Sequence, residues 1–228
     1  MAYPRIPDLV SVIIPTYNRA HFLEECLDSI IDQTYPHYEI IIVNNASTDN
    51  TLEVIEYWKE KRKDRLGSHR PVVTITLPRN VTYAGSITTA LFLTRGEFIA
   101  NQDSDDFSNA ERFEKQVKLL KDHPDIDLVG TNWLAFNGET YEHVYLSDYL
   151  GFGDEIRERY LAGDHCVSHT TSMYRGRLFD QIGGFTRKMR NAEDYEFLYK
   201  SILKDNRLEN LPEYLYYYRL HKDQMTNS

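Results

Sequence analysis

The segment ANQDSDDFS, at positions 100–108, carries three carboxylates within four residues, behind the apolar-rich run GEFIA. Two carboxylates in one turn, here Asp103 and Asp105, repel each other unless a divalent cation lies between them. Hard oxygen ligands suit Mg²⁺ or Mn²⁺, and bound Mg²⁺ often bridges to substrate phosphates. The segment therefore predicts a metal site for a phosphorylated ligand, with a solvated acidic turn as the alternative.

A second Asp-x-Asp pair, Asp125 and Asp127, serves as an internal comparison. It follows KDHP at the start of a predicted strand, where both charges can be solvated, so we predict no site there. Phosphatases that form an aspartyl-phosphate also place Asp-x-Asp after a strand, but they carry Thr or Val two residues beyond the second Asp. Phe107 occupies that position here, which disfavours phosphatase chemistry.

The composition predicts one globular domain: of 228 residues, 41% are hydrophobic and 27% are charged. A net charge of −9 disfavours nucleic-acid binding, because Lys and Arg supply most of the affinity for phosphate backbones. No apolar run approaches the length of a membrane span, and the N-terminal residues lack the pattern of a secretory signal. We therefore expect a cytoplasmic protein whose two cysteines, Cys26 and Cys166, are free thiols.

Strand and helix signals alternate through the first half of the chain. Runs rich in β-branched residues predict strands, and apolar residues at helical spacing predict the helices between them. Asn18 is the expected N-cap of the first helix. Leu52, Ile55 and Trp58 form the expected buried stripe of the second helix. The predicted strands are LVSVIIPTY, YEIIIV, VVTITL and GEFIANQD, and the predicted helices are NRAHFLEECLDSIIDQ, TLEVIEYWKEKRK and residues 84–94.

The second half of the chain is less regular, with predicted helices at ERFEKQVKLLK, 154–162 and NAEDYEFLYKSILK and strands at DLVGTNWLAF and EYLYYYR. Strands that alternate with helices predict an α/β fold with a mostly parallel central sheet flanked by helices. Ligands of such sheets bind at the carboxyl ends of strands. The polar segments PTYN, NNASTD and DSDD are expected to meet at that edge.

Four segments, in this order, resemble the signatures of the family 2 glycosyltransferases, which have the GT-A fold: VSVIIPTYNRAHFLEECLDSI, YEIIIVNNASTDNT, GEFIANQDSDDF and AEDYEFL. The resemblance runs from about residue 10 to the closing YRLH. It implies a single GT-A catalytic domain over 1–228, with a Rossmann-like sheet and a smaller acceptor-side region. The nucleotide sugar would bind to residues from 1 to about 107, and the acceptor to those from about 108 to 228.

On the donor side, the resemblance assigns Thr16 and Tyr17 to the base and ribose of the nucleotide, although Tyr17 alternatively only covers the sheet edge. Asp103 would approach the ribose or the metal, and Asp105 would ligate the metal that neutralises the diphosphate. Relatives commonly carry an aspartate in the turn after the second strand, where this chain has Asn44 and Asn45. Asn45 can accept or donate a hydrogen bond, which keeps uracil possible without favouring it by charge.

On the acceptor side, the resemblance assigns Asp194 as general base and Glu193 as an acceptor contact. Acidic residues in the first turn of a helix alternatively only stabilise its dipole. His221, in YRLH, resembles the family's terminal histidine, which ligates the metal or contacts the diphosphate; a structural or solvated histidine is the alternative. His165, Cys166 and His169 lie in the segment that faces the acceptor in relatives, and we expect acceptor-binding or packing roles, with His169 as the binding candidate.

The resemblance thus implies a metal-dependent, inverting glycosyltransferase in polysaccharide biosynthesis, with Mn²⁺ or Mg²⁺ as cofactor. Its donor would be a nucleoside diphosphate sugar, expected to be UDP-linked, and its acceptor a hydroxyl of a glycan or glycoconjugate. Peripheral membrane association through another chain is compatible with the sequence. Two alternatives remain: a non-catalytic nucleotide- or carbohydrate-binding module on the same fold, and a sugar-phosphate nucleotidyltransferase. The second would need a Gly-rich basic loop, and PTYNRAHF has no glycine.

Overall fold

The computed structural model describes residues 4–186, 192–222 and 224, which form one nine-stranded sheet with helices on both faces. The strands are β1 (Ile6–Thr16), β2 (Tyr38–Asn44), β3 (Val72–Thr76), β4 (Gly96–Asn101), β5 (Phe107–Ser108), β6 (Ile126–Asn137), β7 (His143–Leu146), β8 (Met173–Arg175) and β9 (Arg207–Leu220). The helices are α1 (Ala20–Ile31), α2 (Thr51–Lys61), α3 (Lys63–Leu66), α4 (Thr82–Leu93), α5 (Arg112–Asp122), α6 (Asp154–Leu161), α7 (Gly176–Ile182) and α8 (Glu193–Leu203).

The first half of the chain forms the parallel part of the sheet. β1 pairs in parallel with both β2 and β4, and β3 extends the sheet in parallel beyond β2. Parallel neighbours require crossover connections, and α1, α2 and α4 provide them. These four strands and three helices confirm the predicted elements to within a few residues. The carboxyl ends of β1, β2 and β4 lie side by side, so the segments PTYN, NNASTD and DSDD follow neighbouring strands, as expected.

The predicted N-cap of α1 is wrong. The helix begins at Ala20, and Arg19 rather than Asn18 occupies the N-cap position. Asn18 has a φ of 52°, in the left-handed region, and its Oδ1 accepts a hydrogen bond from the backbone N–H of Thr48 at 2.8 Å. Asn18 therefore ties the turn after β1 to the turn after β2 instead of capping the helix.

The buried stripe of α2 also differs from the prediction. Ile55 and Trp58 are buried, as expected, whereas Leu52 is 36% exposed. Thr51 is fully buried instead, because its hydroxyl donates to Asp49 at 2.5 Å and accepts from the backbone N–H of Arg19. Because its hydroxyl has both an acceptor and a donor, Thr51 can be buried in place of Leu52. Backbone groups at the start of a helix likewise need such hydrogen-bond partners.

The second half of the chain extends the sheet with mixed pairing. β8 lies antiparallel between β4 and β6, and β6 pairs in parallel with β9 along most of its length. β7 and β5 pair antiparallel with β6 and β9. The sequence did not predict β5, β7, β8, α3 or α7, because elements this short carry too few residues to show a period.

Both faces of the sheet are covered, so alternate residues of β1 enter different core layers. Val12 and Ile14 pack in the layer that includes α1, α2 and α5, whereas Ile13 packs in the layer that includes α4 and α8. All three are fully buried. This two-sided burial explains why β1 and β2 are continuous apolar runs rather than alternating ones.

Two polar expectations can be compared directly with the structure. Cys26 and Cys166 are free, buried thiols, as expected. The expectation of solvated charges at the second Asp-x-Asp pair is wrong for Asp127, which is 6% exposed and accepts a hydrogen bond from Arg177 Nη2 at 2.7 Å. Arg207 pairs with Asp125 at the surface.

Within the described ranges, no helix combines the length and apolarity that a membrane crossing requires.

Candidate active site

Asp103 is held by two hydroxyl groups at the carboxyl end of β4. Its Oδ1 accepts a hydrogen bond from Tyr83 at 3.2 Å, and its Oδ2 accepts one from Thr170 at 2.8 Å. The Tyr216 hydroxyl accepts the backbone N–H of Asp103 at 3.2 Å. Burial, together with the charge of Asp105, raises the pKa of Asp103 to about 6. The carboxylate is thus fixed in direction but is costly to ionise without a ligand.

Asp103→Asn should therefore raise the Tm of the metal-free protein near pH 8, with a much smaller effect near pH 4. The pKa of Asp103 lies at about 6 in the folded chain against an ordinary value of 3.8. Between these two pH values, Asp103 keeps a proton in the folded chain that it releases in the unfolded chain, so the free energy of unfolding falls as pH rises. Asparagine stays neutral throughout. Thermal melts in chelator test this, with Asp125→Asn as control; a Tm difference independent of pH would contradict it.

Asp105 is the anionic centre of the turn. Arg19 Nε lies 2.7 Å and His221 Nε2 lies 3.1 Å from the same oxygen, Oδ2. Although burial works against ionisation, the hydrogen bond from His221 and the charge of Arg19 hold the pKa of Asp105 below its usual value. The His221 ring packs on Phe22, with 4.6 Å between ring centroids. The structure thus brings the predicted pair Asp105 and His221 together and adds Arg19, which the sequence did not single out.

The third carboxylate of the turn, Asp106, has a different environment. It is 1% exposed, and its Oδ1 accepts the backbone N–H of Arg219 at 2.8 Å. Burial and the charges of Asp105 and Asp103 raise its pKa well above the ordinary value. Arg219 Nε in turn donates to the carbonyl oxygen of Asp105 at 2.7 Å. Asp106 therefore fastens the acidic turn to β9 through its Oδ1, in surroundings that disfavour its charged form.

A fully buried arginine supports the turn from the side of the core. Among the described residues, the Arg112 guanidinium donates hydrogen bonds only to neutral oxygen atoms. No carboxylate among them pairs with its charge. Burial lowers its pKa to about 10, which leaves it positively charged near neutral pH. Its field favours anions at the turn. Its acceptors are Gln102 Oε1 (3.1 Å), Ser108 Oγ (2.8 Å), Gln116 Oε1 (3.2 Å) and the carbonyl oxygens of Asn101 (2.7 Å) and Thr171 (3.1 Å).

Three of the residues predicted to bind the nucleotide, Thr16, Tyr17 and Asn45, lie at the carboxyl ends of β1 and β2. Thr16 pairs in register with Asn44, and its carbonyl oxygen accepts the Asn45 backbone N–H at 2.8 Å. Tyr17, the next residue, is 41% exposed, so its ring is available for stacking. Thr16, Tyr17 and Asn45 are therefore close together, whereas their contacts with a nucleotide remain predictions.

The side chain of Asn45 is largely committed to the chain itself. Its Nδ2 donates to Asn80 Oδ1 at 3.2 Å and to the carbonyl oxygen of Thr82 at 3.1 Å, and its Oδ1 accepts the Val81 N–H at 2.9 Å. These contacts hold Thr82 at a φ of 71°, which is strained for a β-branched residue. One lone pair of Oδ1 remains, so Asn45 can accept a ring N–H but has no spare donor.

Glu193 and Asp194 form the first turn of α8, and both are half-buried. Asp194 Oδ1 accepts the backbone N–H of Tyr195 at 2.7 Å, and Glu193 Oε2 accepts that of Ala192 at 3.1 Å. The helix-stabilising role considered as an alternative is thus present. It leaves Asp194 one oxygen for a proton, because only Oδ1 carries this bond.

Tyr83 connects Asp194 with the acidic turn. Burial raises the pKa of Tyr83 well above its ordinary value, and the charges of Asp103 and, more weakly, Asp194 raise it further. Charges act strongly only over short distances in a protein, so this contribution indicates that Asp194 is near Tyr83. That Asp103 and Asp194 serve the donor and the acceptor of one site stays a prediction.

His169 is near Asp194 but lies inside the core. It is 4% exposed, and its ring packs edge-on against Phe185, with 4.8 Å between centroids. Burial lowers its pKa to about 4, so the ring is neutral and its Nε2 can accept the hydrogen bond from Asn101 Nδ2 at 2.9 Å. This placement agrees with the packing role, and direct contact of His169 with an acceptor stays a prediction.

The donor set at the turn suits a divalent metal only in part. Across 4–186, 192–222 and 224, no three His, Cys, Asp or Glu side chains are grouped closely enough to enclose a metal ion. Asp105 and His221 offer two ligands, and Mg²⁺ or Mn²⁺ commonly completes its octahedron with substrate phosphates and water. The residues therefore fit a metal that arrives with a diphosphate rather than one bound permanently.

Comparisons with known proteins support this interpretation. The model of "Glycosyl transferase family 2" matches residues 11–183. An uncharacterized glycosyltransferase of Methanocaldococcus jannaschii is 29% identical over 93% of this chain and 71% of its own. A crystal structure of Staphylococcus aureus TarS 1–349 in complex with UDP-GlcNAc is 25% identical, with a TM-score of 0.77 over 96% of this chain.

Two further comparisons limit how far these similarities extend. TarS is called a poly(ribitol-phosphate) beta-N-acetylglucosaminyltransferase, and this chain spans 35% of that protein and 60% of the crystallised fragment. The mannosyltransferase PcManGT of Pyrobaculum calidifontis, solved with GDP-Man and Mn²⁺, is 22% identical with a TM-score of 0.71 over 94% of this chain and 57% of its own, which shows a shared fold. The expected α/β fold of the GT-A type is confirmed, and the chain belongs to the family 2 glycosyltransferases.

Proposed function

We propose that this glycosyltransferase is metal-dependent and inverting, and that it moves a sugar from a nucleoside diphosphate, with UDP as the expected nucleotide, to a hydroxyl of a glycan or glycoconjugate. The observation that carries the proposal is the arrangement around Tyr83. Asp103, in the acidic turn, accepts a hydrogen bond from the Tyr83 hydroxyl, and the charge of Asp194 contributes to the raised pKa of the same phenol. A donor and an acceptor could therefore meet between them.

Thr16, Tyr17, Asn45 and Asp103 would bind the nucleoside. The exposed ring of Tyr17 can stack on the base, and the remaining lone pair of Asn45 Oδ1 suits the ring N–H of uracil or guanine. TarS and PcManGT were solved with UDP-GlcNAc and GDP-Man, whose bases both carry such an N–H. Asp103, fixed by Tyr83 and Thr170, is oriented to accept hydrogen bonds from ribose hydroxyls.

Asp105 and His221 would hold Mn²⁺ or Mg²⁺, which supplies charge compensation for the departing diphosphate. The chain's own cations would act in the same direction. Arg19 lies against Asp105 and can turn to a phosphate, whereas Arg112 is fixed in the core behind the turn. Preorganised positive charge of this kind lowers the barrier because it does not have to reorient during the reaction.

Asp194 would act as the general base. It would take the proton of the acceptor hydroxyl while that oxygen attacks the anomeric carbon from the face opposite the diphosphate. One such displacement inverts the configuration. Glu193, beside it in α8, would contact the acceptor, and His169 would support this side of the site from the core. The donor would thus use the chain to about residue 107, and the acceptor the remainder.

We expect a cytoplasmic enzyme, since the free thiols Cys26 and Cys166 suit a reducing compartment. The polymer named in TarS favours an acceptor in the biosynthesis of surface glycans or glycoconjugates. Family membership favours sugar transfer over the two alternatives, a binding module and a nucleotidyltransferase.

The test is a calorimetric titration of the protein with UDP, GDP, ADP and CDP, first with Mn²⁺ and then with excess chelator. We expect one diphosphate, UDP, to bind at least about tenfold more tightly with the metal than without it, because the metal bridges the turn to the phosphates. NMR of the product formed from the matching nucleotide sugar should show inversion at the anomeric carbon. Metal-independent binding, retention of configuration, or no binding by any of the four would contradict the proposal.

A further inference from the structure

Four aromatic side chains pack together beside the proposed acceptor side of the site. This aromatic cluster consists of Trp133, Tyr145, Tyr149 and Tyr218. Trp133 is its centre, with ring centroids 5.6 Å from Tyr145, 6.4 Å from Tyr149 and 5.0 Å from Tyr218. Tyr145 is 46% exposed and the other three are half-buried, so the cluster reaches the surface. None of the proposed catalytic steps uses it.

Three neighbouring strands carry Trp133, Tyr145 and Tyr218 on one face of the sheet, and Tyr149 lies in the segment after β7. Ala135 of β6 lies directly opposite Tyr145 of β7 and also opposite Tyr218 of β9. Trp133 is two residues before Ala135 and therefore points to the same face. Because Ala135 has only a methyl group, the two flanking tyrosines and Trp133 can form a shallow aromatic surface above it.

The backbone beneath Trp133 is fixed and irregular. Its N–H donates to Ser147 Oγ at 2.9 Å, and its carbonyl oxygen accepts the Ser147 N–H at 3.0 Å. The register between β6 and β9 shifts on both sides of Asn132, directly before Trp133. Such bulges re-aim side chains and are frequent next to active sites. Trp133 is therefore held in place rather than merely exposed.

The aromatic cluster is continuous with the proposed active site on two sides. Tyr216, on the same face of β9 as Tyr218, contacts the backbone of Asp103 at 3.2 Å through its hydroxyl. On the other side, Tyr149 stacks on His165 with 5.6 Å between centroids. Burial raises the pKa of Tyr149, and the charge of Asp194 contributes to the rise. The His165 ring in turn lies 6.4 Å from the Tyr195 ring, and the Tyr195 N–H donates to Asp194, so these contacts lead from the cluster towards Asp194.

The chemistry of the aromatic cluster identifies its ligand. Flat rings bind the apolar faces of sugars, and phenol and indole groups can exchange hydrogen bonds with sugar hydroxyls. The four side chains of the cluster are uncharged, so they offer a phosphate or a carboxylate no ion pair. Resting on the function proposed above, we propose that the aromatic cluster binds the second sugar of an uncharged oligosaccharide acceptor while the terminal sugar presents its hydroxyl to Asp194.

Steady-state kinetics with uncharged acceptors of one, two and three sugars tests the proposal. We expect Trp133→Ala and Tyr145→Ala to raise KM for the two- and three-sugar acceptors about tenfold. KM for the monosaccharide glycoside, KM for the donor, and kcat should all stay near their wild-type values. Trp133→Phe keeps a smaller ring and should recover part of the loss. Tyr57→Ala, which removes a 61% exposed tyrosine from α2, is the matched control and should change nothing.

A binding measurement gives a second readout that needs no turnover. The chain has two tryptophans, and Trp58 is fully buried, so acrylamide quenching of the fluorescence reports mainly on Trp133. Uncharged di- and trisaccharides should protect the fluorescence from quenching, and a uronic-acid oligosaccharide of equal length should not. No protection by any uncharged oligosaccharide, or equal protection by the charged one, would overturn the proposal.

The remaining outcomes separate this proposal from the one on which it rests. If nucleotide binding and donor turnover are intact but Trp133→Ala leaves the dependence on acceptor length unchanged, only the aromatic cluster has been misassigned. If Tyr145→Ala changes the sedimentation of the protein and not the acceptor KM, the face with β7 is a contact between protein chains, and the proposal is wrong. If no nucleotide binds at all, the proposed function itself fails.

Discussion

Asp194→Asn is expected to lower kcat by about 10²- to 10⁴-fold, the contribution typical of a single general base. Asparagine has nearly the same shape but cannot take a proton at neutral pH. It can still accept the Tyr195 N–H that Asp194 accepts at 2.7 Å. The substitution thus removes the proposed proton acceptor and keeps this local hydrogen bond, while the lost interaction with the helix dipole is worth at most about 1 kcal/mol of stability. Initial rates with saturating donor and acceptor give kcat, and calorimetry gives the Kd for the nucleotide.

The matched control is Glu196→Gln, which removes a carboxylate from the same turn of α8. Glu196 pairs with Lys200 at 3.2 Å and is not part of the proposed site. We expect this variant to keep wild-type kcat and nucleotide affinity. A fully active Asp194→Asn enzyme would reject Asp194 as the base. If Asp194→Asn instead lost nucleotide binding together with kcat, the carboxylate would act on the architecture of the site and not on the proton.

Asp105→Ala is expected to abolish the metal-dependent part of nucleotide binding. The affinity measured with Mn²⁺ should fall by at least about 10- to 100-fold, the range produced even by loss of a partner that only orients a metal ligand. Binding in excess chelator should fall much less, because the metal that Asp105 is proposed to hold is then absent from both proteins. Titrations of the nucleotide with Mn²⁺ and with chelator, on wild type and variant, measure both components.

The second Asp-x-Asp pair supplies the control for this experiment. Asp125→Ala removes a carboxylate from the same local pattern, but from a surface position paired with Arg207. Its nucleotide binding should match the wild type with metal and with chelator. If Asp105→Ala keeps a metal dependence as large as that of the wild type, the metal binds at other residues, and Asp105 is only the partner of Arg19.

The sequence predicted the first half of the fold well because its elements are long and periodic. β1, β2 and the helix with Ile55 and Trp58 each carry enough apolar residues to show a period. Local rules failed where distant contacts decide. Asn18 has the side chain of an N-cap, yet its Oδ1 binds the turn at Thr48, 30 residues away. Thr51 rather than Leu52 is buried, because its hydroxyl has partners in Asp49 of the same turn and in Arg19, 32 residues away.

The candidate site shows the same division. The order of the motifs identified Asp103, Asp105, Asp194 and His221 as candidates. In the structure, Asp103, Asp105 and His221 lie around one turn. Arg112 could not be identified, because an arginine in an amphipathic helix normally extends into solvent, and only the fold reveals that it is fully buried. The contact of Asn45 with the base stays a prediction; its amide also holds the segment at residues 80–82, which no local pattern indicates.

The carboxylate of Asp105 has a consequence for how the protein folds. Arg19 and His221, which meet on its Oδ2, are 86 and 116 residues away from it in sequence. The parallel strands β1 to β4 can form from the first half of the chain, but the anion site needs β9 to dock. Contacts of such long range form slowly, since large loops must close first. We therefore expect the parallel strands to pair before the contacts of Asp105 are complete.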